Sequence, residues 1–251
     1  MGDIDQALAR AYARRGPTAD PMGATPPPHF PFEPSPRSAG SSSPTLDWPR
    51  TVLALEREHG GRFEQLADGL IAVRERHQYK VLLFTSCHRS EGRTTLVLAL
   101  ARALARRAGR TLLVDADLSG PMLARLLGLR PRVGLDDVIE SGDALADALI
   151  DAPDDHLTVL PLRGAVARPR EFLASPAWPT AMARLRRDFD HVLVDGGPLF
   201  AGLNSTSLPR SIDAAVLAHN RALTGDRALL RAREALEAGG IPLLGLAETF
   251  V

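Results

Sequence analysis

The stretch Thr85–Leu96, TSCHRSEGRTTL, decides how this chain folds. It follows an apolar run, Lys80–Phe84 (KVLLF), and leads into a helical run, Leu96–Arg107 (LVLALARALARR). Strand, tight loop and helix in that order is the setting of a phosphate-binding P-loop, G-x-x-x-x-G-K-[ST]. Cys87 holds the first small-residue position. His88, Arg89, Ser90 and Glu91 follow, then Gly92, Arg93, Thr94 and Thr95. Such a loop works because consecutive backbone N–H groups converge as an anion nest, to which the following helix adds its positive N-terminal end. Gly92 lets the backbone approach phosphates, and the Thr94 hydroxyl can reach a Mg²⁺ ion. The motif asks for Lys after Gly92, and this chain has Arg93.

Working outward, apolar strand-like runs recur: KVLLFT, TLLVDA, LTVLP, HVLVD, AAVLAH and IPLLGLA. Helical patterns over 94–107, 120–128, 144–150, 177–188 and 224–238 separate most of them, and Phe63, Leu66, Leu70 and Ile71 mark the face of a preceding helix. Apolar strands alternating with amphipathic helices predict an α/β fold, with a mainly parallel sheet covered on both faces. Ligands of such sheets bind at the carboxyl ends of the strands. Asp115 and Asp117 fall at the end of the strand after the loop, and Asp195 at the end of a later one. Each could be a strand-end cap. Three of them behind a loop of this kind point instead to carboxylates that hold Mg²⁺ for phosphoryl chemistry.

Composition bounds the reading. Of 251 residues, 45% are hydrophobic, enough for one packed core. Thirty basic and 30 acidic residues cancel, which gives no argument for a nucleic-acid partner. Lys80 is the only lysine, so 29 of the 30 basic residues are Arg, and Arg93 could reflect that general bias. The single cysteine, Cys87, excludes an internal disulfide framework and suits a reducing cytosol. No secretion signal is visible, and no segment approaches the ~20 apolar residues of a membrane span. A cytoplasmic chain is expected, brought to a membrane only by a partner. Residues 1–15 read as a short helix with Asp3 and Gln6 as a capping box, either a frayed terminus or a docking peptide. Residues 16–50, rich in Pro, Ser and Gly, read as a disordered linker, and 51–251 as the folded domain.

The motifs together resemble the cytosolic bacterial tyrosine kinases of capsular and exopolysaccharide synthesis, within the MinD/ParA-like P-loop ATPases. TSCHRSEGRTTL matches their first Walker motif, T-S-x-x-P-G-E-G-K-[ST]-T. TLLVDADLSGP resembles the second motif characteristic of these kinases, and FDHVLVDGGP their Walker B. The likeness runs collinearly over roughly residues 52–251. It implies ATP or ADP with Mg²⁺ as ligands, with Cys87 to Thr95 around the phosphates. Arg93, Asp115 and Asp117 would be catalytic, and Thr94, Asp115 and Asp195 would hold the metal. It also implies a membrane-bound polysaccharide co-polymerase or chain-length regulator as partner, and self-association.

The departures from the pattern predict altered catalysis. Arg93 replaces Lys, a non-conservative exchange at a tight site. Ser90 replaces a Gly, which strains the loop if a positive φ is needed there. Arg89 replaces a Pro, GGP at 196–198 replaces a Pro pair, and Asn204 stands where many members carry Asp. The C-terminal tyrosine cluster of these kinases is missing, since the only tyrosines are Tyr12 and Tyr79. The E-x-x-R-x-x-R helix that builds their rings corresponds here to Glu64, Ala67 and Leu70. Three functions remain open: a kinase-like ATPase or pseudo-ATPase, a non-catalytic scaffold for a membrane partner, and a MinD/ParA-like positioning ATPase. The last is the weaker, because His88 stands where that branch carries a further Lys.

Overall fold

The structure is a computed structural model that describes residues 44–107, 109–200 and 211–250. The expected N-terminal helix, most of the expected linker, Asn204 and Tyr12 lie outside the described residues. Seven strands form one sheet, in the order β3-β4-β2-β5-β1-β6-β7. They are β1 Val81–Ser86, β2 Thr111–Ala116, β3 Ile150–Ala152, β4 Leu157–Leu160, β5 His191–Gly196, β6 Ala214–His219 and β7 Leu243–Glu248. All neighbours pair in parallel except β3, which runs antiparallel on the edge. The six apolar runs of the sequence are the six parallel strands.

The sheet is buried on both faces, as near-continuous apolar strands require. Alternate side chains divide between two cores. Val81 and Leu83 of β1, Leu112 and Val114 of β2, and Val192 and Val194 of β5 face one core. Leu82, Phe84, Leu113 and Leu193 face the other. Helices α1 (Arg50–His77) and α2 (Arg93–Ala105) cover the second face. Helix α2 is buried nearly all round, from Val97 to Ala101 and again at Leu104 and Ala105, because α1 lies outside it. That explains its apolar sequence. The short α3 (Leu123–Leu126) sits on the same side, through the buried Leu123. Helices α4 (Leu135–Glu140), α5 (Leu145–Ala148), α6 (Pro169–Ala174), α7 (Ala177–Asp188) and α8 (Asp226–Ala238) cover the first face. Trp178, Met182 and Leu185 of α7 are its main anchors.

Helix α1 breaks its helical geometry at His59, ahead of Gly60 and Gly61, and ends at Gln78 in the left-handed conformation. The Gln78 N–H donates to the Arg74 carbonyl, closing the last turn. Ala67 and Leu70 of this helix are buried in the core, so these two positions of the ring-helix stretch face inward. The end of the stretch read as linker also packs on the domain. Leu46 is buried, the Asp47 N–H donates to the Leu127 carbonyl (3.1 Å), and Trp48 Nε1 donates to Asp155 (2.8 Å) beneath the Arg102 guanidinium. Among the described residues, no helix is long and apolar enough to cross a membrane.

His191 opens β5 with its imidazole buried and its Nε2 without a hydrogen-bond partner. Burial, reinforced by the Arg74 charge, pulls its pKa down to about 4. The folded state therefore holds His191 neutral where the unfolded chain would protonate it, near 6.5. Its contribution to stability is complete above that value and is lost as pH falls towards 4, with a slope of at most ~1.4 kcal/mol per pH unit. In urea denaturation, His191→Gln should lose less stability than wild type between pH 7 and pH 4. Parallel curves for the two proteins would show that His191 does not control this region.

Candidate functional site

Three strand ends meet at the carboxyl edge of the sheet. Strand β1 lies beside β5, and β5 beside β2, with Phe84 in register with Asp195 and Asp195 with Asp115. The loop 87–92 leaves the end of β1 and enters α2. Ser90 and Gly92 both take positive φ, +64° and +74°. Gly92 suits that conformation at no steric cost. A Cβ there would also come within 3.1 Å of Thr249. Ser90 adopts the left-handed conformation against its side chain, so the strain expected of a Ser at this position is present, of order 1–2 kcal/mol.

Arg93, the first residue of α2, does not extend along the loop. Its guanidinium is buried and turns down between the strand ends. Nε donates to Asp195 Oδ1 (2.7 Å), Nη2 to Asp117 Oδ2 (3.0 Å), and Nη1 reaches Ser86 Oγ (3.4 Å). Arg89 closes over the same carboxylate from outside, with Nη1 and Nη2 each 3.2 Å from the two oxygens of Asp117. Burial disfavours charge on Arg93, but Asp195 and Asp117 outweigh it and hold the guanidinium pKa above its ordinary value. Burial raises the pKa of Asp195, with Arg93 and Thr94 pulling it back.

Asp115 has a different occupation. Its carboxylate accepts the N–H groups of Asp117 (3.2 Å), Met122 (3.0 Å) and Leu123 (2.9 Å), so it organises the turn into α3. Burial, with the Asp195 charge adding, pushes its pKa up to about 7, against those three N–H donors. The strand-end cap reading of this aspartate describes its geometry.

Glu91 is buried too and faces away from the loop mouth. Its carboxylate accepts the His88 N–H (2.6 Å), the Asn220 N–H (3.3 Å) and the Thr224 hydroxyl. The Thr249 hydroxyl donates to the Glu91 carbonyl (2.8 Å). Asn220, Thr224 and Thr249 lie just after β6 and β7. The polar Asn220–Thr224 run after a buried strand is the sequence signal that marks the first two. Cys87 is buried, and burial together with the Glu91 charge pushes its thiol up to about 11, against a Thr224 hydrogen bond. It is a small residue in a small slot, with no thiolate at neutral pH.

The loop fits an anion. The N–H groups of Arg89, Ser90, Glu91 and Gly92 donate to no acceptor among the described residues. The carboxylates do not fit a divalent metal as they stand. Mg²⁺ demands near-ideal octahedral oxygen coordination at about 2.0–2.1 Å. Both oxygens of Asp117 face guanidinium groups, Asp195 holds Arg93, and Asp115 is committed to the backbone. Among the described residues, no group of three or more His, Cys, Asp or Glu is placed to hold a metal.

No family model matches the chain. Individual proteins do. It is 27% identical over 168 residues to the tyrosine-protein kinase CpsD of Streptococcus pneumoniae, covering 66% of this chain and 74% of that one. To the tyrosine-protein kinase YwqD of Bacillus subtilis it is 29% identical, covering 67% and 71%. A shorter match, 34% identical, spans 46% of this chain and 15% of the succinoglycan biosynthesis transport protein ExoP of Rhizobium meliloti. The kinase domain of the Escherichia coli tyrosine kinase ETK superposes with a TM-score of 0.72 at 20% identity, covering 86% of each chain. The cell-division ATPase MinD of Pyrococcus furiosus superposes with a TM-score of 0.56 at 28% identity, covering 66% and 70%.

The chain is thus similar to bacterial tyrosine kinases and to MinD-like P-loop ATPases. In its site the P-loop cation points towards Asp195 and Asp117. Arg93 neutralises two buried carboxylates, and removing one partner of such a cluster leaves uncompensated charge, typically costing about 3–5 kcal/mol. Arg93→Ala should lose that much in urea denaturation, and much less when Asp195→Asn is already present. Additive losses would show that the two side chains are not coupled. Ser90→Gly, by contrast, should raise the unfolding midpoint by relieving the left-handed strain.

Proposed function

We propose that this chain is a tyrosine-kinase-like P-loop protein that binds a nucleoside di- or triphosphate and regulates capsular or exopolysaccharide synthesis or export. Its phosphoryl transfer is impaired, and it works through a membrane-bound polysaccharide co-polymerase or chain-length regulator. The observation that carries the reading is the P-loop, in which the N–H groups of Arg89 to Gly92 have no acceptor among the described residues. Homology to two tyrosine kinases and to a succinoglycan transport protein supports the setting. The impairment rests on Arg93. Phosphoryl transfer depends on positive charge aimed at the transferring group, and this charge is engaged by Asp117 and Asp195 instead. Among these 251 residues no tyrosine follows Tyr79.

The same Arg93 geometry favours a second reading, a non-catalytic scaffold whose P-loop is a structural remnant. Calorimetric titration with ADP separates the two. Binding with a Kd of order 0.1–1 mM, a free energy of about −4 to −5.5 kcal/mol, is expected. Phosphopeptide mapping after incubation with ATP should find no phosphotyrosine. Absence of any binding heat at saturating ADP would favour the scaffold. Robust phosphate on Tyr12 or Tyr79 would overturn the impairment.

A further inference from the structure

We infer that the Arg93 guanidinium is the resident cation between Asp117 and Asp195, so that divalent metal is excluded and the loop takes up its nucleotide metal-free. This deepens the proposed function and, for its second half, rests on it. The argument begins with occupancy. Arg93 reaches both carboxylates at once, 2.7 Å from Asp195 Oδ1 and 3.0 Å from Asp117 Oδ2, with 9% of its side chain exposed. A lysine presents one compact ammonium. The arginine fork presents donors in different directions from one rigid plane, which is what two separated carboxylates require.

Charge gives the second step. Asp117 and Asp195 are matched by two guanidinium groups, Arg93 from within and Arg89 from the rim. A Mg²⁺ ion at these two carboxylates would lie beside two positive charges that already balance them, and the neighbouring Asp115 is committed to three backbone N–H groups. Nor could the ion enter without displacing the buried guanidinium. Nucleotide phosphates face a different environment. The N–H groups of Arg89 to Gly92 lie at the start of α2 and are not engaged by Arg93 or the aspartates. What a phosphate meets here is the loop's N–H groups and the helix N-terminus, whereas in a metal-dependent P-loop much of the positive charge arrives with the ligand. The geometry therefore makes Arg93 a specificity residue for metal-free over metal-bound nucleotide.

The test has two arms. In the first, nucleotide-free protein is titrated with Mn²⁺ and free ion is followed by electron paramagnetic resonance. Wild type is expected to take up no Mn²⁺ at millimolar concentration. Arg93→Ala, which frees Asp195 and leaves Asp117 with only the rim Arg89, should gain a site and rise in melting temperature when Mn²⁺ is added. If the alanine variant does not fold, Arg93→Lys serves, since its single ammonium reaches only one carboxylate and leaves the other for the metal. Mn²⁺ uptake by wild type equal to that of the variants overturns the resident cation. In the second arm, ADP affinity of wild type is measured in chelator and in millimolar Mg²⁺. Equal values within about twofold support the inference, and affinity tenfold or more higher with Mg²⁺, about 1.4 kcal/mol, overturns it. Absence of ADP binding in both buffers overturns the nucleotide reading and the metal-free claim with it. The Mn²⁺ arm then still decides whether Arg93 is the resident cation.

Discussion

A guanidinium buried between two carboxylates ties three strand ends into one site. Arg93 follows β1, Asp117 follows β2 and Asp195 ends β5. Ionised carboxylates at such depth cost several kcal/mol each unless a charge compensates them. Compensation here comes from one side chain that contacts both. The carboxyl edge of the sheet thus depends on Arg93 for its charge balance, and Arg93 depends on the aspartates for burial. Neither can change alone without exposing the other's desolvation cost.

That constraint shapes the loop around it. With its side chain directed into the site, Arg93 leaves the P-loop backbone to be held by other contacts. Glu91 supplies them. Its buried carboxylate bonds the His88 N–H within the loop and links it to Asn220 and Thr224 after β6, while Thr249 after β7 holds its carbonyl. The loop is therefore organised by the protein's own side chains, which fix its backbone before any anion arrives. Preorganisation of this kind lowers the ordering cost of binding. It also explains how Ser90 is kept at a positive φ that its side chain disfavours, because contacts on either side determine the turn.

Most of the fold was legible in the sequence because its strands are long, apolar and buried on both faces. Strand β3 was not, being three residues with Asp151 at its centre and an antiparallel edge partner. Helices α4 and α6, six residues each, are too short to show a period. At the site, the gathering of Asp115, Asp117 and Asp195 follows from their places at strand ends, and the strained Ser90 follows from the Gly expected there. Direction is what the sequence withholds. It gives the charge of Arg93 but not that the side chain turns towards the aspartates, the acidity of Glu91 but not that it faces β6. Asp115 shows the same limit, since a strand-end carboxylate can cap a turn or face a ligand, and only the three N–H groups around it decide. The contacts from Asn220, Thr224 and Thr249 join residues more than a hundred positions apart, which no local pattern encodes.

The departures from the Walker pattern are related through one carboxylate. In a chain where arginine makes up 29 of 30 basic residues, two arginines in a phosphate loop could be incidental. Incidental replacements would place their guanidinium groups independently, in solvent or on different partners. Arg89 and Arg93 instead converge on Asp117, one from the rim with half its side chain exposed and one from the interior, at 3.2 and 3.0 Å. The proline that Arg89 replaces has no donor to offer there, and a lysine at 93 would offer one charged point where the fork offers several donors. Each replacement adds a donor where the other already directs charge. The two arginines therefore act together, neutralising Asp117 from the rim and from the interior.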